Sequence, residues 1–267
     1  MKFMIIENDL ELIKKYDSIG VDRIFIDLEI IGKKERQGHL DTVISNHSIQ
    51  DIKKIKSNLK NSKLLVRINP INENSESEIE TCIKNGADIL MLPMFKTKKE
   101  VEAFISYIDG RVKACLLVET TQALCRIDDI LEVDGIDEIH IGLNDLHLAM
   151  NLDFMFELLS GGIVDYLANK IKNKNISFGF GGIATLDSGM ISGEMVLKEH
   201  IRLNSSMVIL SRAFKNAAIE DFAKFEKEFL KLRYKLEELK KDKNLDLDFN
   251  MKEIKKAINK IIENKGN

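Results

Sequence analysis

The stretch KACLLVETTQALCRIDDILEVDGIDEIHIGLNDL, Lys113–Leu146, decides the fold of this chain. It reads as an apolar run at Lys113–Thr120, a short helical segment at Gln122–Leu131 and a second apolar run at Glu138–Asn144. Strand, helix, strand is a crossover, and a crossover makes its two strands parallel. Glu119 closes the first strand and Asp145 the second, so both carboxylates emerge at one edge of one sheet. Two acids on such a rim suit a hard divalent cation, which takes oxygen ligands and commonly uses only one or two protein carboxylates. The remaining coordination positions then stay open for a substrate. The same acids equally suit capping of the helix that follows each strand.

Working outward, short runs rich in Ile, Val, Leu and Phe alternate with amphipathic segments, as strands covered on both faces do. The strands predicted are Lys2–Glu7, Arg23–Glu29, Lys63–Asn69, Ile89–Met94, Lys113–Thr120, Glu138–Asn144, Ser177–Ile183 and Met207–Arg212. Helices are predicted at Asp9–Ser18, Ile49–Leu59, Glu76–Asn85, Lys98–Ile108, Gln122–Leu131, Gly162–Asn173 and Gly193–His200. Eight strands in this order predict a (β/α)8 TIM barrel. An open doubly wound sheet is the alternative, but its GxGxxG fingerprint is missing: Asn8, Asp9 and Leu10 follow the first strand.

A barrel enzyme carries its chemistry at the C-terminal strand ends. Here those ends bring Glu29, Arg67, Pro93, Glu119, Asn144 with Asp145, Gly179, Gly181 and Gly182, and Ser211 with Arg212. The opposite ends carry Lys63, Lys113 and Glu138, which read as solvated residues. The only two prolines, Pro70 and Pro93, also follow strands on the polar rim, where a fixed φ stiffens a loop. Arg67 offers a permanently charged planar fork for a carboxylate or an oxyanion, and a salt bridge to Glu29 or Glu119 is compatible with that role. Glu29, Pro93, Asn144 and Gly181 are the further substrate-facing candidates. His39 and His47 lie after the second strand and His147 after NDL, within reach of proton transfer near neutral pH. His140 and His200 read as structural. Lys96 falls in a Lys-rich loop past the fourth strand, where solvated charge explains it better than a Schiff base.

Composition narrows the partners. A 267-residue chain with 44% hydrophobic residues fills one barrel-sized core. A net charge of −3 gives no basic excess for a nucleic acid. Cys82, Cys115 and Cys125 form no CxxC pair, which fits a reducing compartment. The N-terminal apolar run is too short for a signal peptide and no later run is long enough to span a bilayer, so the expectation is a cytoplasmic protein without membrane contact. We expect a barrel over 1–215 and amphipathic helices over 216–267. In the latter, Phe222, Phe225, Phe229, Leu232, Leu236 and Leu239 form an apolar stripe, and a second run covers Met251–Ile262. The stripe exceeds what one barrel helix needs, so a homo-oligomer contact is expected.

The strings FIDLEIIGKKERQ, LLVRINP, ILMLPMF, LLVET and HIGLNDL, in this order, resemble the HpcH/HpaI aldolase and citrate lyase β-subunit family of the phosphoenolpyruvate/pyruvate superfamily. The resemblance is strong over Phe25–Leu146 and extends more weakly through GFGGIA and LSRAF. It implies a barrel with Mg2+ or Mn2+ held by Glu119 and Asp145, and Arg67 beside the carboxylate and keto oxygen of a pyruvate-like ligand. It also implies oligomers in which the C-terminal helices pack on a neighbour. The expected activity is metal-dependent carbon–carbon cleavage of a 4-hydroxy-2-oxo acid through a pyruvate enolate, with Arg67 stabilising charge and either His47 or a metal-bound water as the base that takes the proton of the distal hydroxyl. The alternatives are citrate lyase-like cleavage of an acyl-CoA and a non-catalytic barrel subunit. Asp27-Leu28-Glu29 with Lys33 and Arg36 resembles the citrate lyase branch, and GLNDL the sugar-acid aldolase branch. Ile30 stands where the aldolase branch has histidine, Leu117 where it has glutamine, and Met94-Phe95 where the lyase branch has lysine.

Overall fold

A computed structural model of the chain describes residues 1–32 and 47–265. Eight parallel strands close into a barrel: β1 (Lys2–Ile6), β2 (Arg23–Asp27), β3 (Lys63–Arg67), β4 (Ile89–Leu92), β5 (Lys113–Val118), β6 (Glu138–Ile141), β7 (Ser177–Ile183) and β8 (Met207–Leu210). Each strand pairs with its sequence neighbours, and β1 with β8. All eight begin at the residue expected. Seven end one to three residues early, because residues past the last ladder bond turn away to build the rim.

Helices α1 (Leu10–Ser18), α2 (Ile49–Lys56), α3 (Ser75–Lys84) and α4 (Lys98–Ile108) follow the first four strands. Local chemistry sets their starts. Asp9 accepts the Glu11 and Leu12 amides at the head of α1, and Thr97 with Glu100 forms a capping box on α4. The single helix expected at Gln122–Leu131 is two, α5 (Thr121–Cys125) and α6 (Ile127–Ile130), broken at Arg126. After β6 come α7 (Leu143–Ala149), α8 (Glu157–Ser160) and α9 (Ile163–Asn173); after β7, α10 (Gly193–Arg202); after β8, α11 (Arg212–Glu220), α12 (Phe222–Lys241) and α13 (Leu247–Lys265). Helices α7, α8 and α11 were not anticipated. The apolar GLNDL run of α7 reads as a continuing strand, but the ladder stops at Ile141 and Gly142 caps a helix.

Strand alternation divides the core. One set, including Met4, Phe25, Leu65, Met91, Leu117 and Met207, fills the barrel interior, and the larger set lies between sheet and helices. The lower interior holds a charged pair. Arg23 Nη1 and Nη2 donate to Glu138 Oε2 and Oε1 at 2.6 and 2.7 Å, and the two side chains are 3% and 2% exposed. Glu138, expected in solvent, is therefore buried, because it points inward and finds a guanidinium there.

The C-terminal stripe is also resolved. Phe225, Phe229, Leu232, Leu236 and Leu239 of α12 are buried against their own barrel, with Phe229 edge-on to Phe3 at 5.7 Å and Phe225 against Tyr16 at 4.7 Å. Helix α13 packs on α10 and α8, and Asn250 Nδ2 donates to Met195 O and Glu199 Oε1. The stripe expected to meet another subunit is thus spent within this chain. Among the described residues no helix is long and apolar enough to cross a membrane.

Candidate active site

At the C-terminal rim a cavity of about 190 Å³ opens above the barrel interior. Its floor is Phe25, Met91, Leu117 and Ile209, and its wall carries Arg67, Glu119, His140, Asn144, Asp145 and Gly181. Five of the sequence candidates thus meet in one place.

Arg67 ends β3, directly opposite Asp27 at the end of β2. Its Nε donates to Asp27 Oδ1 and its Nη2 to Asp27 Oδ2, both at 2.8 Å, while Glu29 Oε2 stands 3.4 Å from Nη2. The expected salt bridge to Glu29 is present, but the principal partner is Asp27. The neighbouring carboxylates of Asp27, Glu29 and Glu119 hold the guanidinium firmly protonated against its burial. Nη1 has no partner among the described residues, and the side chain keeps 13% of its surface exposed at the cavity.

Glu119 follows β5 and is 3% exposed. Burial and then the nearby Asp145 carboxylate push its pKa well up, against the pull of Arg67. Its Oε1 accepts the Met94 N–H at 3.2 Å, from a residue held at φ 55° after β4. Gly142 leaves it room: a Cβ there would lie 2.9 Å from both the Cβ and Oε2 of Glu119. Asp145 sits in the first turn of α7, where the helix dipole favours a carboxylate. Gly181, at φ 51°, turns the chain over Leu143 into the cavity wall.

Other candidates fall outside the cavity lining. Pro93 is buried behind β4, and Glu29 reaches the site through Arg67. His47 lies on the rim, where its Nδ1 accepts the Asp27 amide at 2.9 Å. Burial lowers its pKa, so the ring is neutral with its proton on Nε2 and presents a donor. His39, Lys33 and Arg36 lie outside the described residues. His147 bonds back to the carbonyls of its own helix, at Leu143 and Asn144.

Two residues of the site stand outside the expected set: Asp27 figures in the sequence only as part of a motif, and His140 reads there as structural. Asp27 was legible in principle: aligning the starts of β2 and β3 at Arg23 and Lys63 puts Asp27 beside Arg67. His140 lies two residues above the inward-facing Glu138 on β6 and so faces the interior as well; its Nε2 meets the Gly181 carbonyl at 3.1 Å.

The donor set fits a hard divalent ion. Glu119 and Asp145 offer only oxygen, and the half-buried Asp145 carboxylate repels that of the buried Glu119, which a cation would relieve. Among the described residues no cluster of three or more His, Cys, Asp or Glu is arranged as a metal cage. The protein would thus supply two ligands and leave the rest of the sphere to substrate and water, the habit of Mg2+.

The profile of the HpcH/HpaI aldolase/citrate lyase family matches residues 3–154, more than half of the sequence. The chain belongs to this family. HpcH/HpaI membership places it among aldolases and citrate lyases, a group of lyases. No curated protein matches the sequence. Similar solved structures include an HpcH/HpaI aldolase from Desulfitobacterium hafniense DCB-2, with 12% identity over 83% of this chain and 92% of that one and a TM-score of 0.62. An HpcH/HpaI aldolase/citrate lyase family protein from Burkholderia cenocepacia J2315 gives 13%, 82%, 93% and 0.63, and the citrate synthase SbnG gives 15%, 85%, 93% and 0.60. At these identities the likeness establishes the barrel and nothing finer.

Proposed function

We propose that this member of the family is a divalent-metal-dependent carbon–carbon lyase that cleaves or forms a 4-hydroxy-2-oxo acid through a pyruvate enolate. The observation that carries the reading is the placing of Glu119 and Asp145 in the same small cavity as Arg67. Glu119 and Asp145 would hold Mg2+ or Mn2+, and the ion would supply Lewis-acid polarisation of the substrate's 2-oxo carbonyl.

The chain's own residues do the rest. Asp27 and Glu29 hold Arg67 in one orientation, and its unbonded Nη1 donates to the 2-oxo oxygen. As the C3–C4 bond breaks, the 4-hydroxyl passes its proton to water and becomes the aldehyde carbonyl, and C3 of the enolate afterwards takes a proton from water to give pyruvate. The electron pair left on C3 delocalises onto the 2-oxo oxygen, where the guanidinium stabilises it, an effect worth roughly 3 kcal/mol for one well-aimed donor. Phe25, Met91 and Leu117 keep the floor dry, which strengthens that interaction. Asn144 and Gly181 border the substrate, and His47, its Nδ1 taken by the Asp27 amide, acts only through its Nε2–H, which orients the 4-hydroxyl oxygen and does not take its proton. The cavity of about 190 Å³ suits a small acid better than the bulk of an acyl-CoA. We further propose a homo-oligomer, since Leu230 and Tyr234 remain exposed on the outer face of α12, and a cytoplasmic setting, in keeping with three cysteines that form no CxxC pair.

The test is coupled pyruvate release from a panel of 4-hydroxy-2-oxo acids with Mg2+ or Mn2+, beside Glu119→Ala. Metal-dependent pyruvate that vanishes in the variant supports the reading. No pyruvate from any member, with release of acetyl-CoA from a malyl- or citramalyl-type thioester, overturns it in favour of acyl-CoA cleavage. Light scattering that finds a monomer at micromolar concentration refutes the oligomer.

A further inference from the structure

We infer that the base of the barrel, at the end opposite the rim, binds a phosphate-bearing small molecule. This site is independent of the proposed lyase chemistry. A cavity of about 660 Å³ lies there, and Lys2, Arg23, Lys63, Lys113 and Arg233 line it, with Asp22 and Asp88 as the only lining carboxylates among the described residues. Four of these cations occupy inward-facing positions: Lys2 precedes Met4 on β1, Lys63 precedes Leu65 on β3, Lys113 precedes Cys115 on β5, and Arg23 precedes Phe25 on β2, each by two residues.

The cations outnumber what their partners can satisfy. Both oxygens of Glu138 are already taken by Arg23, at 2.6 and 2.7 Å. Lys2 at 3.1 Å and Lys113 at 3.9 Å crowd the same Oε1. Asp88 Oδ2 accepts Lys56 at 2.6 Å and the Leu64 amide at 2.8 Å, leaving Lys63 at 3.7 Å from Oδ1. Arg233 donates through Nη2 to Asp22 and to the Gly20 carbonyl, and its buried Nε has no partner among the described residues. Six cations therefore share the carboxylates of Glu138, Asp88 and Asp22.

Lys2, Lys63 and Lys113 keep 42%, 65% and 55% of their side chains exposed, so their ammonium groups can swing onto a ligand on the barrel axis. A compact group with two or more charges fits three converging point donors, which is how lysine binds phosphate. Among the described residues no aromatic side chain lines the cavity to stack a base, so the phosphate is the group recognised. Strands of four to seven residues place this site roughly 15 Å below the rim cavity.

The experiment is calorimetric titration of the full chain with inorganic phosphate and with glycerol 3-phosphate, at constant ionic strength in chloride with about 1 mM Mg2+. The wild type, Lys63→Glu/Lys113→Glu, Lys224→Glu/Lys227→Glu and Asp145→Asn are compared. The expected result is a Kd below about 5 mM for at least one ligand. That Kd is weakened tenfold or more by the Lys63/Lys113 pair and unchanged by the remote pair and by Asp145→Asn. A tighter Kd for glycerol 3-phosphate than for phosphate identifies an ester as the ligand; the reverse order identifies the free anion. No saturable binding by the wild type overturns the inference. So does equal binding by the Lys63/Lys113 variant, or binding lost only in Asp145→Asn, which would place the anion at the rim.

Discussion

The guanidinium of Arg67 is held by the Asp27 carboxylate through two parallel hydrogen bonds of 2.8 Å, from Nε and from Nη2. The pair leaves one arm of the fork for the cavity and fixes its direction. In Asp27→Asn one of the two acceptor oxygens becomes an amide donor, and the fork loses its alignment. We expect a fold unchanged by circular dichroism and a fall in kcat of about 10- to 100-fold, with a smaller change in KM. Unchanged kcat would show that Arg67 needs no orientation.

Glu119→Gln separates metal binding from folding. With a raised pKa in the folded state, the wild-type carboxyl is penalised when ionised. Without metal, wild-type stability therefore falls as pH rises past the ordinary carboxylate value. In chelator at pH 7 the variant should melt no lower than wild type, whereas added Mn2+ should raise the melting temperature of wild type alone. A variant that still responds to Mn2+ would dissociate Glu119 from the ion.

Gly142→Ala brings a methyl group to 2.9 Å from Glu119 Oε2. Its φ is −81°, so alanine meets no backbone strain and the contact alone is tested. Turnover should drop at least tenfold, with stability altered by about 1 to 2 kcal/mol in urea unfolding. Full turnover would mean that the carboxylate can shift without consequence.

His140 and His200 are both buried, and burial pushes their pKa values down to about 4 and about 3. An unfolded chain would titrate both near 6.5. Between those limits the unfolded state binds protons that the folded state refuses, so stability is lost as pH falls below about 6.5. The loss is up to about 1.4 kcal/mol per pH unit for each ring. Urea midpoints at pH 7.5 and pH 5.0 should differ clearly, and equal midpoints would contradict this account.

Glu138→Gln strands the Arg23 charge inside the barrel, at an expected cost of about 3 to 5 kcal/mol. Replacing both partners, Arg23→Met with Glu138→Leu, removes the charge with the carboxylate and should recover much of that loss. Chemical denaturation of the three proteins decides it; a double variant as unstable as the single one would give the pair a role beyond charge compensation.

Much of this was legible because the strands announce themselves at their starts. Arg23, Lys63 and Lys113 each stand before an unbroken apolar run, and the ladder begins there. The far ends were less clear, since apolar Leu143 continues a strand pattern in composition while its backbone has already turned into α7. Glu119, Asp145 and Arg67 could be placed on one rim from strand polarity alone. Which carboxylate holds Arg67 depends on the register between β2 and β3, a pairing between residues 40 positions apart. Glu138 misled because a charged first residue looks solvated, and only alternation around a closed barrel turns it inward. The α12 stripe misled for the opposite reason: its length suggested a second surface, yet Phe3 and Tyr16 of the first βα unit needed that much cover.

The docking of α12 on the first βα unit also orders events during synthesis. Arg233 clasps Asp22 from 211 residues away, and β8 must arrive before β1 has its second neighbour. Until Phe225 and Phe229 emerge from the ribosome, Phe3 and Tyr16 lack the aromatic cover those residues give, and β1 leaves the exit tunnel as an open sheet edge. Barrel closure and the docking of α12 both join the start of the chain to its last elements, so folding is completed late, and nascent chains halted before α12 are the ones expected to depend on chaperones.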